Sequence, residues 1–448
     1  MTEPTDEDRY PTLSDGGRRM LDWLREHPSA PVFRNRSGNR LREDDITALV
    51  LFDEEVTRAK PHRHDELEPA WCSDFMTEVF RHVPYYRAMG VPPRRFTDLP
   101  VVSRADFSAD IARFVPDDIP LERIINFRTT GTTGHPLLIP SHPQIAGRYL
   151  SFHKRALFRH GIVPTHGSGQ VGVVLLGHQQ RCFTYISVTP TMGESGLVKL
   201  NLHPVDWRDP ADRSTYLEAL DAEFIAGDPI SFAELLRLPA RLRPRALMSV
   251  SMALSTGLRK ALEERYECPV LDLYSLNEVG PVAVYDAELG GHVLLQHRLF
   301  VEILDDAGHR LADGMRGEIT VTGGFNFCLP LLRYRTGDFA ALERRDGEII
   351  LRALAGRAPV RFRTASGAWV NNIDVTHAVD HLPLSHYALH QRADGSLHFL
   401  LGHRDARHEG PVGSALASLM GELTLTIELV DGDDKTVQYR SDVGEAHA

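Results

Sequence analysis

The chain has 448 residues, 42% hydrophobic and 25% charged, with a formal net charge of -11. That length is more than one hydrophobic core usually fills, so two or more packed lobes of a folded, soluble chain are expected. The acidic balance speaks against nucleic acid as a partner, because binding a phosphate backbone needs a clustered positive surface. Arg241, Arg243 and Arg245 alternate with Leu and Pro and read as a solvated turn. Cys72, Cys182, Cys268 and Cys328 lie far apart without CxxC spacing, which suits buried thiols in a reducing compartment better than disulfides or zinc. The opening MTEPTDEDRYP is too acidic and polar for a secretory signal, and no apolar run approaches the roughly 18 residues of a membrane span. A cytoplasmic location and no membrane partner are the expectations.

In chain order, residues 1–100 read as a helical segment: GRRMLDWLREH and AWCSDFMTEVFRHV carry apolar residues at helical spacing, and VPYYRAMGVPP breaks the helical pattern after them. From Ile124 onward β-branched runs alternate with amphipathic helices: QVGVVLLG, YLEALDAEFIAG, ALMSVS, GLRKALEERYECP, VLDLYS. That is the pattern of an α/β layered domain with parallel strands. Residues 300–355 break into short alternating segments with acidic-Gly turns, which predict hairpins of a β-rich subdomain. Residues 356–448 mix strands and a helix and predict a small α+β lobe. The fold class is therefore α/β: a large multi-layer N-terminal domain over residues 1–355 with the β-rich subdomain, plus a small mobile C-terminal lid over 356–448. A cleft is expected between the two.

Five segments carry the chemistry. In FRTTGTTGHPLLIP, Gly131 and Gly134 stand among Thr129, Thr130, Thr132 and Thr133. Backbone N–H groups and hydroxyls in such a loop can wrap a polyphosphate, although the spacing is not that of a Walker loop and a plain hairpin tip has the same composition. In VLDLYSLNEVGP a strand ends in Tyr274, followed by Asn277 and Glu278. The ring can stack on a base, and the carboxylate can hold Mg²⁺ beside phosphate oxygens. In LPLLRYRTGDFAAL, Asp338 can accept two ribose hydroxyls, or simply form a Gly-Asp turn. AGRAPVRFRTASGAWVNN places Arg357 at the domain junction and Gly367 in a hairpin turn, and DGDDKTVQYRSD carries Lys435, a lone lysine that by itself reads as a solvated charge.

Taken together, in this order and spacing, the segments resemble the core motifs of the adenylate-forming superfamily, the acyl-CoA synthetases and adenylation domains, and within it the phenylacetate-CoA ligase branch. HVPYYRAMGV with FTDLPVVSRADF is similar to that branch's N-terminal helical segment, and the likeness runs from about residue 75 to the tail. The resemblance implies that Thr130, Gly131, Thr132, Thr133 and Gly134 hold the β- and γ-phosphates of ATP. It places Tyr274 on adenine, Asn277 beside the nucleotide, Mg²⁺ on Glu278, the ribose on Asp338 and a ribose or phosphate contact on Arg357. Lys435 swings in with the lid to bridge the acid and the α-phosphate, with Lys435 and Glu278 as the catalytic pair. The activity implied is ATP-dependent conversion of an organic acid, aromatic by analogy, to an acyl-adenylate with pyrophosphate release, then transfer to CoA.

Departures from the family pattern widen the choice. Leu137 or Leu138 stands where a lysine often follows the phosphate loop, Ser275 where Gly is usual, and Asn277 where a hydroxyl residue is usual; Val250 to Ala253 replaces a Gly-Gly/Ala-Glu stretch. Pro359 and Val360 stand where a hinge carboxylate is usual, and proline restrains the backbone there. Alternatives are therefore a carrier-protein thiol or an amine as acceptor, nitrite activation for diazotisation, or a non-catalytic nucleotide-binding relative. The 22 histidines show no HExxH or Cys/His spacing; His178, after a strand end, is the one placed to line an acid pocket.

Overall fold

The computed structural model describes residues 4–59, 68–128, 137–179, 182–356, 360–431 and 437–443. The chain divides into two compact units, one of residues 1–12, 39–163 and 273–358, the other of residues 13–38, 164–272 and 359–448.

The first unit pairs helices with an antiparallel sheet. Its strands run in the order Leu299–Leu304, Arg316–Gly323, Leu331–Arg345, Glu348–Gly356, Gly291–Leu294 and Gly280–Asp286, and the last pairs with residues 273–276. The pairs Leu299–Leu304 with Arg316–Gly323 and Leu331–Arg345 with Glu348–Gly356 are hairpins of the kind expected from the acidic-Gly turns, while Gly280–Asp286 and Gly291–Leu294 precede the expected span. Helices Trp71–His82 and Arg104–Asp110 and the aromatics Phe107 and Phe114 pack into a core with Ile319, Val321 and Tyr334. Apolar side chains of these strands supply that face, and Leu299–Leu304 is buried at every position. Helix Pro143–Phe158 starts with proline in its first turn and with His142 Nδ1 accepting from the Gln144 N–H at 3.1 Å.

In the second unit strands Ser195–Asn201, Val171–Gly177, Phe224–Gly227 and Ala246–Ser249 are parallel neighbours, as is the start of Val270–Leu276; Tyr185–Thr189 adds an antiparallel edge. Strand Phe224–Gly227 and strand Ala246–Ser249 are buried along their whole length, as strands covered on both faces must be. Arg245 pairs with the buried Glu223 at 2.8 Å, so that end of the arginine run is tied down rather than solvated throughout.

Residues 360–443 build a four-stranded sheet in the order Leu425–Val430, Leu397–Gly402, Tyr387–Gln391, Tyr439–Ser441, with helices Asn372–Val379 and Glu409–Met420. Phe362, Val375, Phe399, Leu401, Val412, Leu416 and Met420 are its own buried core. Gly367 turns the hairpin between Arg361–Arg363 and Trp369–Asn371, as its sequence context predicts. Within the second unit this lobe seats on helix Thr256–Tyr266: Asp380 Oδ1 accepts from the Thr256 N–H at 3.1 Å and Asp380 O from the Gly257 N–H at 3.0 Å. No helix among the described residues is long and apolar enough to cross a membrane, and the four cysteines are free thiols.

Candidate active site

The site is assembled on strand Leu331–Arg345. The strand is irregular between Arg335 and Phe339, where Gly337 has φ +80°, and from it Tyr334, Thr336 and Asp338 reach neighbouring segments. Tyr274, near the end of Val270–Leu276, donates its hydroxyl to Asp338 Oδ2 at 2.7 Å. Burial, then the Asp338 charge, push the Tyr274 hydroxyl well above its ordinary value, so it stays protonated and a donor. The Asp338 N–H donates to Thr336 Oγ1 at 3.1 Å, and Thr336 Oγ1 donates to Ile319 O at 2.9 Å, which locks the turn before the carboxylate.

Glu278 lies in the turn after Val270–Leu276 and is 5% exposed. Its Oε1 accepts from Arg104 Nη1 at 3.0 Å and from the Tyr334 hydroxyl at 3.3 Å. Burial, then the Glu278 charge, raise the Tyr334 hydroxyl as well, so it too stays protonated. Gly280 comes next but one with φ +81°, and a side chain there would run into the Phe325 ring, so only glycine lets the turn close behind Glu278. Phe325 in turn packs edge-on against Tyr149 at 5.2 Å, and Tyr149 feels the charge of Glu278.

The structure thus brings together Tyr274, Glu278 and Asp338 of the sequence-derived set. Asn277 is exposed in the same turn and makes no hydrogen bond among the described residues. Thr130, Gly131, Thr132, Thr133, Gly134, Arg357, Pro359 and Lys435 lie outside the described residues; the strands Ile125–Arg128 and Leu138–Ser141 that bracket the loop pair antiparallel, with Arg128 opposite Leu138. His178 is buried against Arg404, whose Nη2 is 2.6 Å from its Nε2, so it makes a polar contact with residue 404 of the C-terminal lobe within the second unit.

Arg104 and Tyr334 are members that sequence reasoning passed over. Tyr334 lies in the same RYRTGD segment as Asp338, but the irregularity at Gly337 removes the simple alternation that would have paired them. For Arg104 the local signal is the Ser103/Asp106 capping box, which sets the helix start but not the partner.

No family model matches the chain. It is 37% identical over 89 residues to the phenylacetate-coenzyme A ligase of Pseudomonas putida, 19% of this chain and 20% of that enzyme. To the enzyme of the same name from Escherichia coli (strain K12) it is 25% identical over 293 residues, 60% of this chain and 64% of that one. The chain therefore spans about one fifth and under two thirds of the length of these relatives. Among solved structures, 2-hydroxyisobutyryl-CoA ligase, in the postadenylation state in complex with R3-HIB-AMP, superposes with a TM-score of 0.62 at 16% identity, covering 83% of this chain and 88% of that one. The chain has the adenylate-forming ligase fold. Of the two positions at which the resemblance expects a lysine, Leu137 is buried and Leu138 is exposed, and Val360 is pinned to Asn372 by backbone and side-chain hydrogen bonds of 2.9 and 3.1 Å.

Proposed function

We propose that the chain activates an organic acid, aromatic by analogy with phenylacetate, and passes it to CoA. The acid's carboxylate oxygen attacks the α-phosphorus of ATP, the bond to pyrophosphate breaks, and the acyl-adenylate forms. The CoA thiol then loses its proton and attacks the acyl carbon, and AMP leaves. The observation that carries this reading is one strand, Leu331–Arg345, presenting Tyr334 to Glu278 and Asp338 to Tyr274.

In this reading the Tyr274 ring faces adenine while its protonated hydroxyl holds the Asp338 carboxylate in place to accept ribose hydroxyls. A carboxylate already oriented by a donor loses less freedom when the ligand arrives. Asn277, exposed beside Glu278, adds a hydrogen-bonding group to the nucleotide. Thr130 to Gly134 hold the outer phosphates, Arg357 the ribose or a phosphate, and Lys435 the acid and the α-phosphate, on the strength of the motif resemblance. Residues 356–448 act as the mobile lid on the large domain of residues 1–355, in a cytoplasmic enzyme.

For magnesium, the donor set decides what fits. Glu278 Oε2 carries no hydrogen bond among the described residues, and no group of three or more His, Cys, Asp or Glu among them could hold a metal alone. One carboxylate suits Mg²⁺ that brings its own waters and the substrate's phosphate oxygens, and does not suit a resident ion. Bound there, the metal would offset the repulsion between the attacking carboxylate and the phosphate. Glu278 would hold it, and Tyr334 and Arg104 would orient Glu278.

Pyrophosphate release measured over aryl, arylacetic and acrylic acids, with and without CoA and nitrite, tests the proposal. Release with an arylacetic acid, followed by AMP and thioester, is the expected result. Tight ATP binding without release for any acid would make the chain a silent nucleotide-binding relative, and turnover confined to nitrite or an amine would move the acceptor.

A further inference from the structure

Glu278 sits on a cation before any ligand arrives. Its Oε1 takes the Arg104 guanidinium at 3.0 Å, with side-chain exposures of 34% for Arg104 and 7% for Glu278. A carboxylate this deep is costly without a positive partner. The segment that delivers Arg104 is clamped on the same strand that builds the site. The Val102 N–H donates to Arg333 O at 3.1 Å and the Arg335 N–H to Val102 O at 2.7 Å, a parallel bridge to Tyr334. Ser103 and Asp106 close a capping box around Arg104, the first residue of helix Arg104–Asp110. The Phe107 ring stacks on Tyr334 at 4.8 Å and 7°. Clamped at 102, 103 and 107, the backbone leaves only the long arginine stem to move, and its guanidinium end is the more exposed partner.

We propose that Arg104 is a built-in counter-ion for Glu278, which holds the carboxylate in the empty site and which the metal of an incoming metal–nucleotide complex must outcompete. The inference rests on the reading of Glu278 as the metal carboxylate. Both cations address one anion in a poorly solvated position, so each weakens the other's hold. Arg104 keeps Glu278 oriented and neutralised while the site is empty, and a metal without nucleotide phosphates, offering only one protein ligand, does not displace it. Arg104 acts through Glu278 and is therefore a positioning residue.

The test is a Mn²⁺ titration of the whole protein with a non-hydrolysable ATP analogue, read from the electron paramagnetic resonance signal of free Mn²⁺. Arg104→Ala is expected to lower half-saturating Mn²⁺ about tenfold. Arg104→Met, which keeps the packing stem and loses the charge, is expected to do the same, so a folding defect of the alanine variant does not stop the test. Arg104→Lys, which keeps the charge, should stay near the parent value. Unchanged or weaker Mn²⁺ binding in both uncharged variants overturns the inference. If Glu278→Gln weakens Mn²⁺ binding in that case, only the role of Arg104 is lost. If Glu278→Gln leaves it unchanged, the metal assignment fails and the inference with it.

Discussion

The Tyr274 hydroxyl donates to the Asp338 carboxylate at 2.7 Å across 64 residues of sequence. The bond is charge-assisted, because burial and the carboxylate itself keep the phenol protonated. Tyr274→Phe keeps the ring and removes the donor. Hydrogen bonds to charged groups contribute about 1.5–3 kcal/mol, so ATP binding should weaken by roughly ten- to a hundredfold, while turnover at saturating ATP changes little. Calorimetric ATP affinity alongside kcat checks this, and an unaltered affinity would remove Asp338 and Tyr274 from the nucleotide site.

Lys435 tests the catalytic half of the reading. In the proposed reading base and ribose contacts fall to Tyr274 and Asp338, so Lys435→Ala should bind ATP normally yet form no adenylate, because its charge is needed only as negative charge develops on the phosphate. Pyrophosphate exchange measured beside ATP affinity separates the two steps. Parallel loss of both would point to a folding defect instead of a catalytic role.

Gly257 marks where the C-terminal lobe seats within the second unit. A Cβ built there would lie 2.5 Å from the Leu382 carbonyl carbon, a backbone atom that cannot swing aside. The Asp380 carboxylate receives the Thr256 N–H and hydroxyl at the first turn of helix Thr256–Tyr266, where a negative charge is favoured. Gly257→Ala should therefore cost about 1–3 kcal/mol through overpacking and speed proteolytic release of residues 360–443. Identical cleavage rates in parent and variant would show that the lobe is held elsewhere.

His153 should make stability depend on pH. It lies on helix Pro143–Phe158 beside Tyr149, and burial pushes its imidazole down to about 4 from an ordinary 6.5. The unfolded chain takes up the proton below about 6.5 and the folded chain only near 4, so the folded state loses stability as pH falls through that window. Replacing the imidazole in His153→Phe should flatten the decline by on the order of 2 kcal/mol. Denaturant midpoints at several pH values between those limits check it; parallel curves for parent and variant would mean the imidazole is solvated in the native state.

Much of this protein was readable along the chain because the signals are local. The periodicity of GRRMLDWLREH and AWCSDFMTEVFRHV yields helices Asp15–Glu26 and Trp71–His82, the runs QVGVVLLG and ALMSVS yield parallel strands, and VLDLYS yields a strand that is parallel at its start and antiparallel at its end. Gly367 and the acidic-Gly turns specify hairpins through backbone conformation alone. The motif order from TTGTTGHP to KTVQYRSD pointed to the adenylate-forming fold, which the structural likeness bears out.

What no local pattern could specify are the pairings across the fold. Arg104 and Glu278 are 174 residues apart, and nothing in PVVSRADF indicates that its arginine meets the carboxylate of YSLNEVGP. The folded chain brings them together by placing Val102 beside the strand that carries Tyr334. The sequence expectation set Tyr274 on a base and Asp338 on a sugar as separate contacts; tertiary structure joins them, because strand register put a phenol hydroxyl within reach of a carboxylate. The same holds for His178, expected to line a pocket and found buried against Arg404. Amino-acid identity decides which chemistry each side chain can offer, and that much is legible residue by residue. Which partner it is offered to depends on long-range register and packing, which only the folded chain determines.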